Sequence, residues 1–285
     1  MNKKKIYSNW FIMPAMLIFT VFFLLPMVIS FVFSVTVWDF HSFTFCGLDN
    51  FKTFFSDSSL FSSIKNTLIY AVLTCVFKLV IAFFLAVFLT SKIKTKTFLR
   101  SVVFFPNLIS TVAVGITFSA LMHPSKGLIN RVIELLGGTG IDWLGNIKIA
   151  LYSVIFTDVW KGVGVATVIF IAGMQSIDKA YYEAASIDGA TAWESLKTIT
   201  VPLSRPAMNS VIILAFIGGL RTFELIWAMT GGGPGFATEV MASTVYKQYA
   251  AGFYGLSTAG NVIMFLLIAV LAFPLQKYLL SKEVG

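Results

Sequence analysis

Charge is what this sequence has least of. Of its 285 residues 12% are Asp, Glu, Lys or Arg, while 57% are hydrophobic; an ordinary soluble domain carries roughly 25% charge. A water-exposed surface needs more charge than that, which excludes a cytosolic enzyme, a disordered chain and a collagen-like fibre. The two cysteines give no disulfide framework: Cys46 lies in a polar-flanked stretch, Cys75 in an apolar one, and neither has metal-ligand spacing around it. His41 and His123 each stand alone, so neither is expected to ligate a metal or to act in catalysis. There is no G-x-x-x-x-G-K-S/T phosphate loop and no nucleophile–base constellation. Energy for any work must then come from a partner or from an ion gradient.

What is abundant is apolar length. A hydrocarbon core about 30 Å thick is crossed by roughly 20 helical residues. No Asp, Glu, Lys or Arg occurs between Ile6 and Trp38. That run follows Lys3, Lys4 and Lys5, but it is too long for a signal h-region and lacks a small-residue cleavage site, so it reads as a retained anchor. Six spans are expected, at about 10–37, 64–91, 101–122, 150–174, 207–229 and 256–280. The fold class is all-α integral membrane: one six-helix domain over 10–280, with tails at 1–9 and 281–285. Long apolar runs without alternation exclude a β-barrel.

The basic residues orient the spans. With the amino terminus inside, Lys3, Lys4, Lys5, Lys92, Lys94, Lys96, Arg100, Lys179, Lys197, Arg205, Lys277 and Lys282 are cytoplasmic; only Lys52, Lys126, Arg131, Lys148 and Lys247 lie outside. Both termini are expected in the cytoplasm, in a multi-pass protein of the cell membrane. The formal net charge of +8 then answers to topology and anionic lipid, and nucleic acid is not required.

The stretch 175–206 is more polar than its surroundings. Helix formers run to Asp188, Gly189 interrupts, and a second helical run from Ala190 ends at Pro202. Asp178 is placed to cap the first helix and Gly189 to take a positive φ. A folded hairpin in place of a short connection reads as a docking surface. An amphipathic helix lying on the inner leaflet is the bland alternative; Asp178, Glu183, Asp188 and Glu194 oppose it, since that leaflet is negative.

These residues carry a resemblance. Glu183-Ala184-Ala185, then Gly189, Ile199 and Val201-Pro202 resemble the EAA loop of membrane subunits of ATP-binding-cassette importers, with Val201 where the family usually has Leu. EAASIDGA and MTGGGPG (Met229 to Gly235) resemble the carbohydrate importers of the maltose and glycerol-phosphate type. The resemblance implies a type I importer permease, non-catalytic, paired with a second related permease. It implies two ATPase subunits docking on Glu183, Ala184, Ala185, Asp188, Gly189 and Pro202, and an extracellular binding protein delivering a carbohydrate. No cofactor is expected on this chain; ATP and Mg would sit on the partner ATPases.

A translocation path needs polar groups at membrane depth. Asn107, Thr111, Asp158 and Thr222 offer donors and acceptors to sugar hydroxyls, and Trp160 or Phe223 an aromatic face. By the resemblance, the sugar-lining positions fall at Asn107, Thr111, Asp158, Lys161, Gly162, Val165, Gly218, Gly219 and Thr222; Arg221 is a further charged candidate. Competing readings exist for each. Asp158 and Lys161, or Arg221 and Glu224, are i,i+3 neighbours that would neutralise each other. Lys78, mid-way in the second span, reads as pairing with the partner permease. Gly162, Gly164, Gly218 and Gly219 read as helix-packing positions. The glycine-rich loop is expected to shape the outer mouth, with amphipathic Gly127 to Leu136 on the same surface. An ion-gradient-driven secondary transporter, using Asp158, Lys161, Arg221 and Glu224, is the alternative function; no internal repeat of the kind such folds show is evident.

Overall fold

The computed structural model describes residues 9–38, 42–91 and 93–283. Most of the expected amino-terminal tail, with Lys3, Lys4 and Lys5, lies outside the described residues, as do His41, Lys92 and residues 284–285. The elements are α1 (Trp10–Ser34), β1 (Thr36–Trp38), β2 (Phe43–Phe45), α2 (Asp49–Ser56), α3 (Ser58–Thr90), α4 (Lys96–Leu108), α5 (Thr111–Leu121) and α6 (Leu128–Leu135). There follow α7 (Ala150–Gln175), α8 (Lys179–Ile187), α9 (Ala192–Leu203), α10 (Arg205–Leu220), α11 (Glu224–Met229), α12 (Met241–Ala250) and α13 (Tyr254–Ser281). Among the described residues α1, α3, α7 and α13 are each long and apolar enough to cross a bilayer. The bent pairs α4–α5 (96°) and α9–α10 (65°) raise the number to six if each is one span.

Two expected spans are broken. The third, expected as 101–122, bends between α4 and α5. Pro106 has no N–H to donate inside α4; the helix closes with the Ile109 N–H on the Pro106 carbonyl at 3.3 Å, and Ile109 and Ser110 are extended before α5 begins. The fifth, expected as 207–229, ends its first helix at Leu220 and resumes as α11 after Phe223.

Proline also explains two π turns. A residue that cannot donate leaves a carbonyl free, and the helix widens one turn to take up the slack. The Leu25 N–H reaches the Thr20 carbonyl just before Pro26, and the Val201 N–H reaches the Leu196 carbonyl just before Pro202.

The chain divides into two compact units, Met1–Phe61 with Thr244–Leu266, and Ser62–Ser243 with Leu267–Gly285. In the first, β1 and β2 pair antiparallel with Thr36 opposite Phe45. The Asn50 side chain donates to the carbonyls of Ser34 and Thr36 at 2.9 and 2.8 Å. Phe54 is fully buried, and a methyl on Gly260 would stand 2.9 Å from its ring. Asp57 caps the start of α3: its carboxylate accepts from the hydroxyl and N–H of Ser59, and these bonds, the hydroxyl foremost, hold its carboxyl below the usual carboxylate range.

The second unit has two apolar clusters. One gathers Tyr70, Phe118, Val154, Ile155 and Ile226; the other gathers Ala82, Leu89, Phe170, Met174 and Val211. Along α3 they are separated by Thr74 and Lys78, and along α7 by Lys161 and Gly162. A polar layer therefore lies between two apolar ones.

Candidate functional site: a mid-span polar layer and an exposed hairpin

Lys78 and Asp158 define the polar layer. The Lys78 Nζ donates to Asp158 Oδ2 at 2.7 Å, linking α3 to α7, and both side chains are mostly buried. This corrects two expectations. Lys78 pairs within its own chain rather than with a second permease, and Asp158 is neutralised by Lys78 rather than by Lys161. Arg221 and Glu224 do not pair with each other either; Lys52 and Asp49 form a further ion pair at 2.8 Å. The physical reason is burial: a carboxylate out of water needs a partner in good geometry, and the α3 lysine supplies it where the i,i+3 neighbour does not.

Tyr70 stands two turns before Lys78 on α3. It is fully buried; its hydroxyl faces Asp158 and Thr222, yet makes no hydrogen bond of good geometry. Sequence reasoning missed it, because an aromatic in an apolar run gives no signal of its own. Its position eight residues before Lys78, on the same helical stripe, was the available clue.

The predicted path residues divide by where the structure puts them. Asn107, Gly162 and Val165 line a cavity of about 170 Å³ together with Lys78 and Ala215. Thr222 is half-buried beside Tyr70. Trp160 packs tilted, at 5.0 Å and 53°, against Phe118 in the first apolar cluster, and is not among the residues lining that cavity. Thr111 opens α5 beyond the bend. Gly219 is a contact point: a methyl there would lie 2.6 Å from the Ala71 Cα and 3.0 Å from Thr74 Oγ1, so only glycine lets α10 seat on α3. Gly162 holds a similar place, since a methyl would meet the Lys78 Cε at 2.8 Å. Gly218 faces open space, and Lys161 and Arg221 have no ion partner among the described residues.

The hairpin is built almost wholly from local bonds. Asp178 Oδ1 accepts the Ala180 N–H at 2.9 Å and caps α8. Gly189, with φ of 78°, ends it: the Gly189 N–H bonds the Ser186 carbonyl and the Ala190 N–H the Ala185 carbonyl, a paired closure that requires the left-handed region. Thr191 and Glu194 then form a reciprocal capping box at the start of α9. That run begins at Ala192, two residues later than expected, because Thr191 is its cap. The Tyr182 hydroxyl meets Thr200 Oγ1 at 3.0 Å and staples α8 to α9. Glu183, Ala184, Asp188 and Gly189 are exposed, while Ala185 and Pro202 are half-buried. Ile187 and Trp193 flank the turn, 85% and 66% exposed; the expected docking residues did not include them.

At the other end of α3 the glycine-rich loop is tied down. The Asn66 amide donates to the carbonyls of Phe236 and Glu239, the Met241 N–H donates to Thr67 Oγ1 at 2.9 Å, and the Thr230 and Thr238 hydroxyls meet at 2.7 Å. His123 Nδ1 accepts from the Ser125 and Lys126 N–H groups, a structural role.

Comparison with known proteins gives this architecture its family. Residues 78–283 match the family described as binding-protein-dependent transport system inner membrane component, and the chain belongs to it. It is a multi-pass membrane component of such a system and a non-catalytic one, the ATPase being a separate subunit. The trehalose/maltose transport system permease protein MalF of Thermococcus litoralis is 31% identical over 259 residues, covering 90% of this chain and 88% of that protein. The multiple sugar-binding transport system permease protein MsmF of Streptococcus mutans is 31% identical, covering 93% of each. The sn-glycerol-3-phosphate transport system permease protein UgpA of Agrobacterium fabrum is 32% identical over 82% of this chain and 81% of that protein. In fold, the chain is similar to a component of a bacterial transporter that imports the acidic polysaccharide alginate, with a TM-score of 0.82 at 23% identity over 96% of this chain and 93% of that one.

Proposed function

We propose that this chain is one of two paired permeases through which a carbohydrate, handed over by an extracellular binding protein, enters the cell. Relatives named for trehalose, maltose and multiple sugars support the substrate class. Asp158 and Thr222, with Tyr70 beside them, and Asn107 in the cavity that Lys78 lines, offer donors and acceptors that sugar hydroxyls match, and the Lys78 ammonium fixes the Asp158 carboxylate in place. Closing of two ATPase subunits on ATP and Mg moves the hairpins of the two permeases and turns the path from inward-open to outward-open. Both termini and the hairpin lie in the cytoplasm.

The exposed hairpin carries this reading. Its backbone bonds are satisfied internally, so its rigid tip, with Ile187 and Trp193 beside Gly189, is free to enter a groove on the ATPase. The ion-gradient alternative loses its main carboxylate, because Asp158 is already paired with Lys78. The test is Gly189→Asp, followed by uptake and by co-purification from mild detergent with mass spectrometry. Uptake falls to background while the chain stays in the membrane and the ATPase no longer co-purifies. Normal uptake by this variant sinks the docking role.

A further inference from the structure

A cavity of about 570 Å³ in the second unit belongs to neither the polar layer nor the tip of the hairpin. It lies where α3 and α7 end and α4 and α8 begin, lined by Thr90, Lys96, Gln175, Lys179 and Tyr182 among others. Its chemistry is one-sided. Two lysines line it, and among the described residues no carboxylate does. Val87 and Met174 make one wall apolar. Neither Lys96 nor Lys179 has an ion partner among the described residues; Asp178, next to Lys179, accepts from the Ala180 N–H instead.

Each lysine is the first residue of its helix. A cation there opposes the positive end of the helix dipole. α4 has no acid in its first turn, and its Thr95 cap makes no side-chain bond. One turn further along the same face, Arg100 gives one guanidinium N–H to the Leu89 carbonyl at 3.0 Å, while its Nε is buried without a partner. Two lysines and two helix starts, only one of them capped by a carboxylate, thus meet at one amphipathic cavity at the ends of two spans. An anion held there offsets both lysines and serves the uncapped start of α4.

We propose that this cavity binds a phosphate-bearing anion, the headgroup of an acidic phospholipid, with its acyl chains leaving past Val87 and Met174. Basic pockets between spans at the membrane boundary are suited to such headgroups. Which leaflet supplies the lipid rests on the proposed orientation of the hairpin; the binding itself does not.

The test uses the intact transporter, exchanged through micelles containing phosphatidylglycerol or phosphatidylcholine, with retained lipid measured by mass spectrometry. Phosphatidylglycerol is retained in preference. Lys96→Gln with Lys179→Gln lowers its retention roughly thirtyfold, and Lys96→Arg with Lys179→Arg keeps it. If the Gln variant does not assemble, the same preference is read on the unaltered protein as a rise in Tm with phosphatidylglycerol and none with phosphatidylcholine. Equal retention by the Gln variant, or no preference between lipids, overturns the proposal. Displacement of the lipid by millimolar inorganic phosphate also overturns it, in favour of a free-phosphate site. Retention is read without ATP or sugar, so its failure leaves the hairpin reading standing, and that reading fails separately through uptake by Gly189→Asp.

Discussion

The hairpin and the mid-span layer solve the same problem, placing polar groups in an apolar protein, by opposite means. In the hairpin nearly every bond spans a few residues: Asp178 to Ala180, Ser186 to Gly189, Thr191 to Glu194. In the layer the decisive bond joins residues 80 apart, Lys78 and Asp158. The hairpin stays in water and its turn is a matter of backbone conformation. The layer is out of water, and its cohesion depends on two charges meeting. A change in the hairpin should therefore spare the fold and hit coupling, whereas a change in the layer should hit the fold first.

The sharpest break is Gly189→Asp, with uptake lost and membrane level unchanged. Aspartate tolerates the positive φ better than most residues, so the turn survives while a bulky charge enters the tip. Next is the ion pair. Lys78→Met strands Asp158 and costs about 3–5 kcal/mol, whereas Lys78→Met with Asp158→Leu costs much less; chemical denaturation in detergent micelles compares the two. A double variant no more stable than the single one would mean that the pair is not what holds α3 to α7. Gly219→Val, which drives a side chain into Ala71, should cost about 1–3 kcal/mol in the same assay. Thr191→Ala removes the capping box for about 1 kcal/mol and should leave the layer untouched. Smallest in stability is Tyr70→Phe, since it deletes a hydroxyl with no bond of good geometry to lose. Its effect should appear in uptake instead, as a higher KM, and an unchanged KM would remove Tyr70 from the path.

What was legible in the sequence follows the same division. Asp178, Gly189 and the EAA residues announce the hairpin because their structural partners are neighbours in the chain. Apolar length alone pointed to the stretches that become α1, α3, α7 and α13. The bend at Ile109–Ser110 was not: Pro106 signals a disturbance, but where the helix gives way depends on what packs around it. The partner of Lys78 was equally hidden, because spacing along one helix says nothing of which helix lies opposite. Asp158 was read against Lys161 for that reason. The exposure of Ile187 and Trp193 could not be read from an apolar pattern that resembles burial.

The bend in the third span has a mechanical consequence. α5 has 11 residues and is therefore about 16 Å long. Pivoting on the two extended residues Ile109 and Ser110, it acts as a lever: a swing of about 10° displaces its far end by about 3 Å, the width of a water molecule. Gly115 seats α5 against Ala228, where a methyl would come within 2.6 Å of the alanine Cβ, so the lever carries α11 and the start of the glycine-rich loop with it. An aperture at that end can be opened and shut by an angle smaller than the scatter between ordinary helix crossings.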